Sequence, residues 1–237
     1  MDFSVAAGQS KSMYHSKPVT SDQPGVHRKL KEVVLRHLNS EYQKPIQRHN
    51  RQAFEEFLRR LERSEYSILI LDSCCGTGMS SKTLASANPN ALVVGVDQSG
   101  HRLSKANSDE QADSVQPDNC LLLRANCEDF WRLCVEHQIQ FELHFILYPN
   151  PWPKPLQLKR RWHAHPVFPW LKPLAKQTEV RSNWAIYLQE FSQAWDLLTG
   201  QGGRLEPFTP ESFLTLFEKK YANSQQQLYR LQLDSGS

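Results

Sequence analysis

Leu71-Asp72-Ser73-Cys74-Cys75-Gly76-Thr77-Gly78 is the stretch on which the reading of this chain turns. The apolar run Tyr66–Leu71 predicts a buried strand ahead of it. Ser80–Ala87 predicts a helix behind it, stopped by Asn88-Pro89-Asn90. Gly76 and Gly78 allow the joint to turn tightly and let a ligand approach the backbone. A second strand over Ala91–Val96 ends in another acid, Asp97. It follows Gly76 by roughly twenty residues, the spacing at which such a unit sets a carboxylate against ribose hydroxyls. A dinucleotide site asks for a third glycine and a pyrophosphate over the helix N-terminus. Here Ser81 takes that glycine's place and Asp72 precedes the turn, where a carboxylate repels a pyrophosphate and accepts an ammonium. S-adenosylmethionine offers both an ammonium and a ribose, so the pattern points to that cofactor.

Outward from this stretch the alternation continues. His101–Asn107 reads as a helix, Ser108–Asn119 as a polar loop, Leu121–Leu123 as a third strand, Phe130–His137 as a helix and Phe141–Tyr148 as a fourth strand. Strands alternating with helices imply an α/β fold, a doubly wound, mainly parallel sheet. Ligands of such sheets lie outside the carboxyl ends of the strands. Asp72, Asp97, Asn126 and Asn150 all fall just past predicted strand ends, and Cys127 adjoins Asn126. Asn126 is placed either to meet an adenine edge or to cap the next helix. Towards the N-terminus, Phe54, Phe57, Leu58 and Leu61 form one helical stripe, and Leu30, Val33, Val34, Leu35 and Leu38 form another. Residues 1–25, rich in Ser, Gln and Gly, read as a disordered arm. The expected organisation is that arm, a helical extension over 26–64 and the α/β domain over 65–237.

Composition narrows the class. The 237 residues carry 28 Lys+Arg against 25 Asp+Glu and include 5 Cys. No apolar run approaches the ~18 residues of a membrane span. The odd cysteine count fits neither a disulfide framework nor paired zinc spacing, so reduced thiols and a cytoplasmic location are expected. Trp162, His163 and His165 lack further ligands at helical spacing, and no metal is expected. The charge is distributed unevenly. Lys154, Lys159, Arg160, Arg161, Lys172, Lys176 and Arg181 face a single acid, Glu179, and a second basic stretch holds Arg28, Lys29, Lys31 and Arg36. Two local patches on a nearly neutral chain suit either a solvated face or an anionic polymer.

The most specific string is Tyr148-Pro149-Asn150-Pro151-Trp152, in which two prolines fix the backbone around one polar residue. Asn150 is thereby set beside the methyl donor as the candidate catalytic residue, with Trp152 as a stacking wall. With Lys159-Arg160-Arg161, Gly95-Val96-Asp97, Asn183-Trp184-Ala185-Ile186-Tyr187 and Thr215-Leu216-Phe217-Glu218, the chain resembles the tRNA (guanine-N7)-methyltransferase family from about Ser21 to Asp234. The resemblance implies a Rossmann-like class I fold and methyl transfer from S-adenosylmethionine to guanosine N7 in the tRNA variable loop. It implies a cofactor site at Asp72, Gly76, Gly78, Asp97, Asn126, Cys127 and Asn150. It also implies an RNA face at Lys154, Lys159, Arg160 and Arg161, with Asn183, Thr215 and Glu218 around the guanine. The chain departs from the family at Asn150 and Asn183, where the motifs carry aspartate, and at Leu156 and Gln157, where basic residues are frequent. These departures leave open a paralogous methyltransferase acting on another RNA or a small molecule, or a catalytically weak RNA-binding protein. Trp152 and Trp184 are candidates for stacking on a splayed base, although Trp184, Tyr187, Leu188 and Phe191 also make a helical core stripe.

Overall fold

Extended β-branched and apolar side chains set the central strands. The computed structural model describes residues 16–105 and 116–236. β1 (Ile68–Ser73) pairs in parallel with β2 (Ala91–Asp97), every residue of which is buried. Burial on both faces is what a parallel strand covered by helices requires. β2 pairs in parallel with β3 (Cys120–Arg124), β1 with β4 (Phe141–Leu147), and β4 with β5 (Ala175–Ser182). β7 (Leu228–Asp234) enters antiparallel between β5 and β6 (Arg204–Phe208). The order β3-β2-β1-β4-β5-β7-β6 reverses direction between β1 and β4. A crevice opens at such a switch point outside the carboxyl ends of the strands. Asp72 is the next-to-last residue of its strand there, and Tyr148 follows the neighbouring one. The expected doubly wound, mainly parallel sheet is the one observed.

The helices lie close to their expected places. α3 (Met79–Ala87) follows the glycine turn, α4 (Gly100–Ser104) follows Asp97, and α5 (Cys127–Glu136) begins three residues earlier than its apolar stripe. Residues 106–107 of the predicted helix and 108–115 of the polar loop lie outside the described residues. The short α6 (Leu171–Leu174), α7 (Ala185–Thr199) and α8 (Leu216–Asn223) complete the set.

The N-terminal extension is not a separate layer. α1 (Leu30–Leu38) buries Leu30, Val33 and Val34, and α2 (Arg48–Glu62) buries Ala53, Phe54 and Phe57, all in the core that holds Phe130, Trp131 and Phe141. The Phe57 ring lies 5.5 Å from that of Phe130 and 6.2 Å from that of Phe141. Asn50 on α2 donates to the buried Asp129 (2.5 Å) and accepts from the Asn126 N–H (3.0 Å). The boundary at 64/65 is therefore one of sequence pattern, not of packing. Residues 1–15 of the expected arm lie outside the described residues, whereas 16–25 differ from the expectation. Gln23 is buried and donates to Glu190 (2.6 Å), and the Ser21 hydroxyl donates to the Pro153 carbonyl (2.5 Å). A polar composition disguised a segment that pays out its hydrogen bonds to buried partners. Among the described residues no helix is long and apolar enough to cross a membrane, and the five cysteines are free.

Candidate active site

A cleft of about 1030 Å³ lies over the carboxyl ends of β1, β2 and β4. Asp72, on its floor, is fully buried. Its Oδ2 accepts from the Ser80 and Ser81 hydroxyls, both at 2.6 Å, while its Oδ1 has no hydrogen-bond partner. Burial pushes this carboxyl up to about 6 despite the two hydroxyl donors. A buried carboxyl with one uncommitted oxygen at the floor of a cleft is an acceptor suited to a cationic donor. Gly95 on β2 makes the arrangement sterically possible, since a Cβ there would lie 2.3 Å from Ser81 Oγ. Asp97 ends β2 nearby, its Oδ2 accepting from the Gly76 N–H (3.0 Å) and its Oδ1 from the Ser99 N–H (2.8 Å). Gly76 lines the cleft at φ +62°. Gly78, at φ +76°, starts α3 against Leu122 behind the cleft wall; a Cβ there would lie 2.6 Å from Leu122 Cδ1.

On the β3 side Cys127 and Glu128 line the cleft. Asn126 is not among the lining residues. It stands at the N-cap position of α5, half-buried, with no capping bond from its side chain. The Cys127 and Cys74 sulfurs lie 3.7 Å apart, and that contact together with burial raises the Cys127 thiol well above its usual range.

The opposite wall is the turn Tyr148–Trp152. Tyr148 and Trp152 occupy the left-handed region at φ 50° and 45°. Such strain persists where surrounding contacts over-determine it. Tyr148 is held at both ends, by its N–H on the Arg181 carbonyl (2.9 Å) and its hydroxyl on Glu218 (2.9 Å). The Trp152 carbonyl accepts from Arg161 Nε (3.2 Å) and Nη2 (3.0 Å). Asn150, at the apex, is exposed to the cleft and accepts from the Trp152 N–H at 3.4 Å.

Two expected substrate contacts face inward instead. Arg161 is fully buried, paired with Glu190 (2.5 Å), donating to Gln23 (3.1 Å) and stacked 5.0 Å over the Trp184 ring. A guanidinium so committed holds the Trp152 turn and has no path to a phosphate. Burial pushes the Glu190 carboxyl up, but bonds from His163 and Arg161 prevail and bring it down to about 2. Glu218 is likewise fully buried, accepting from Arg181 (2.9 Å), Tyr148 and the Leu214 N–H (2.7 Å). Its partners neutralise it behind the cleft. Trp184 is buried in the core, as its stripe allowed. The basic stretch is thinned further by Arg181, held by Glu179 and Glu218, and by Lys176, paired with Glu142 at 2.7 Å. Lys159 and Arg160 remain on the rim, Arg160 stacked 4.8 Å over Trp152, while Lys154 is exposed beyond the lining residues.

Asn183 and Thr215 do line the cleft. Thr215 caps α8 by accepting from the Glu218 N–H (3.0 Å). This brings Phe217, Lys220 and Tyr221 to the wall, the Phe217 and Tyr221 rings stacked at 6.1 Å. The quoted motif contained Phe217, but only the helical phase of α8 reveals that it faces the cleft with Tyr221. No cluster of metal-ligating side chains occurs among the described residues.

A family model described as "Putative methyltransferase" matches residues 67–231. Among solved structures, the chain is similar to the 16S rRNA methyltransferase KamB (18% identity, 76% of this chain and 92% of that chain, TM-score 0.55). It is also similar to the aminoglycoside resistance methyltransferase NpmB1 (19%, 76% and 92%, TM-score 0.50). A third is a variant 16S rRNA (adenine(1408)-N(1))-methyltransferase from Catenulisporales acidiphilia with S-adenosylmethionine as cosubstrate (18%, 76% and 89%, TM-score 0.52). At these identities the likeness is one of fold. No curated protein matches the sequence.

Proposed function

The chain belongs to this methyltransferase family, and on that premise we propose that it transfers a methyl group from S-adenosylmethionine to N7 of a guanosine in the tRNA variable loop. One observation carries the reading. A single cleft joins an acidic, glycine-turned half at Asp72, Gly76 and Asp97 to an aromatic half rimmed by Lys159, Arg160 and Lys220. The first half fits the cofactor. Asp72 Oδ1, buried and unpartnered, would take its ammonium, Asp97 its ribose hydroxyls, and Cys127 with Glu128 would flank the adenine. S-adenosylmethionine, when bound, supplies an electrophilic methyl group.

The second half fits a base presented from RNA. Guanine N7 already offers a lone pair, so the chain needs no general base, only alignment. Trp152 under Arg160 and the Phe217–Tyr221 pair are faces on which a splayed base can stack. The same faces favour the positive charge that develops on a purine as N7 is alkylated. Asn183 contributes an amide at the base edge, and Lys154, Lys159 and Arg160 suit backbone phosphates.

A second reading rests on the charges. Glu218 is consumed by Arg181, and the acids lining the cleft are Asp72, Asp97 and Glu128, all in the cofactor half. With Asn150 and Asn183 as amides and Leu156 fully exposed on the loop, the aromatic half suits another nucleoside in a structured RNA. The named neighbours that act on 16S rRNA agree with that breadth. Purified protein with labelled S-adenosylmethionine and unmodified tRNA, followed by nucleoside mass analysis, separates the two. 7-Methylguanosine in the variable loop supports the first reading, and label in another nucleoside supports the second. No label in tRNA or ribosomal RNA, with cofactor bound in calorimetry, refutes both.

A further inference from the structure

We infer that Gln226 is a positioning residue that fixes the polarity of the Asn183 amide, so that the cleft presents a hydrogen-bond acceptor and prefers guanine to adenine. The inference rests on the proposed role of Asn183 at the base edge. The argument begins at the N-terminal segment. The Ser16 carbonyl, which can only accept, takes a bond from Gln226 Nε2 at 2.8 Å. The Ser16 N–H in turn donates to Ser224 Oγ (2.8 Å), and the Gln226 N–H donates to the Tyr221 carbonyl (3.1 Å). Both ends of that local backbone are held. With Nε2 committed to a carbonyl, the other end of the Gln226 amide must be its oxygen. Asn183 Nδ2 donates to that Oε1 at 2.8 Å. The polarity of one amide therefore dictates that of the next, and Asn183 Oδ1 is left as the end turned from Gln226 on a residue that lines the cleft.

An unconstrained asparagine offers a base either its oxygen or its nitrogen, and so reads donors and acceptors alike. Guanine carries donors at N1 and its exocyclic 2-amino group. At the same two positions adenine offers an acceptor at N1 and only a C–H at C2, its amino donor standing at C6 instead. An asparagine locked as an acceptor reproduces what a carboxylate does at that position, without the charge. Residue 226 lies in the turn before β7, outside every quoted motif, and its contribution passes through Asn183.

The test is fluorescence anisotropy with the full chain and S-adenosylhomocysteine present. Labelled oligoribonucleotides carry one guanosine or one adenosine among pyrimidines. The native chain is expected to favour the guanosine oligomer. Gln226→Ala should lower that preference roughly fivefold to tenfold, the worth of one matched hydrogen bond. Gln226→Glu loses the bond to the Ser16 carbonyl, but its carboxylate still accepts from Asn183 Nδ2 and should keep most of the preference. Asn183→Asp combined with Gln226→Ala should restore it, since a carboxylate needs no orienting. Equal weakening for both oligomers in Gln226→Ala means a merely structural role and overturns the inference. So does an unchanged preference, a loss in Gln226→Glu equal to that in Gln226→Ala, a double variant that fails to recover, or a native chain with no preference. Absence of methyl transfer alongside an intact guanosine preference would instead count against the proposed function alone.

Discussion

Replacing Asp72 by asparagine should stabilise the free protein while crippling its cofactor site. The carboxyl is fully buried with one oxygen unpartnered, and burial lifts it from 3.8 to about 6. That rise spans roughly two pH units, and at about 1.4 kcal/mol for each the ionised form costs the fold about 3 kcal/mol at pH 7. Because the folded value lies above the unfolded one, the folded chain binds the proton more tightly. The group therefore adds no penalty below about pH 4, and stability is lost as pH rises through the interval to about 6. An amide keeps the shape and the Ser80 and Ser81 contacts without the charge. For a chain of this size each kcal/mol moves Tm by about 2–4 °C, so Asp72→Asn should melt roughly 6–12 °C higher at pH 7. The difference should shrink towards zero at pH 4. Differential scanning calorimetry of both proteins across pH 4–8 reads this directly. Calorimetric titration with S-adenosylhomocysteine should show affinity reduced by about 10–100-fold, the worth of a charged hydrogen bond. A variant less stable than the native chain at pH 7, or a gain independent of pH, would refute the reasoning.

Other consequences are as specific. Glu190→Gln leaves Arg161 buried without its countercharge and should cost about 3–5 kcal/mol in denaturant unfolding, without altering the salt dependence of RNA binding. Lys159→Ala and Arg160→Ala should instead leave stability within about 0.5 kcal/mol and each lower the slope of log affinity against log salt by about 1. Phe57→Ala should cost about 3–5 kcal/mol and loosen the whole domain in hydrogen exchange, because the extension shares the core; exchange confined to residues 26–64 would contradict that. Gly95→Ala drives a methyl against Ser81 Oγ and should weaken S-adenosylhomocysteine binding about tenfold or more through Asp72.

The sequence by itself determined the first four strands and several of the side chains that line the cleft at their ends. Val93, Val94 and Val96, and Ile68 to Leu71, are apolar runs of strand length bounded by turn residues, and such runs need no tertiary information to be read. Asp72, Asp97, Gly76 and Asn150 follow from position, because a parallel sheet puts its ligands at the strand ends. β5 is different. Ala175-Lys176-Gln177-Thr178-Glu179-Val180-Arg181-Ser182 looks like a solvated basic stretch, yet Thr178 and Ser182 are buried because β4 and β7 pair on either side of it. Only the fold decides that.

The charges divide in the same way. Lys159, Arg160 and Arg161 are three consecutive cations, and nothing local separates the two that face the cleft rim from the one enclosed by Glu190, Gln23 and the Trp152 carbonyl. Glu218 seemed free for a base until Arg181 and Tyr148 closed on it from other elements. Sequence specifies which side chains carry chemistry, since that is a property of single residues and short spacings. Whether a charge is available or already spent depends on partners tens to hundreds of residues away, and those are brought within hydrogen-bonding distance only when the sheet assembles.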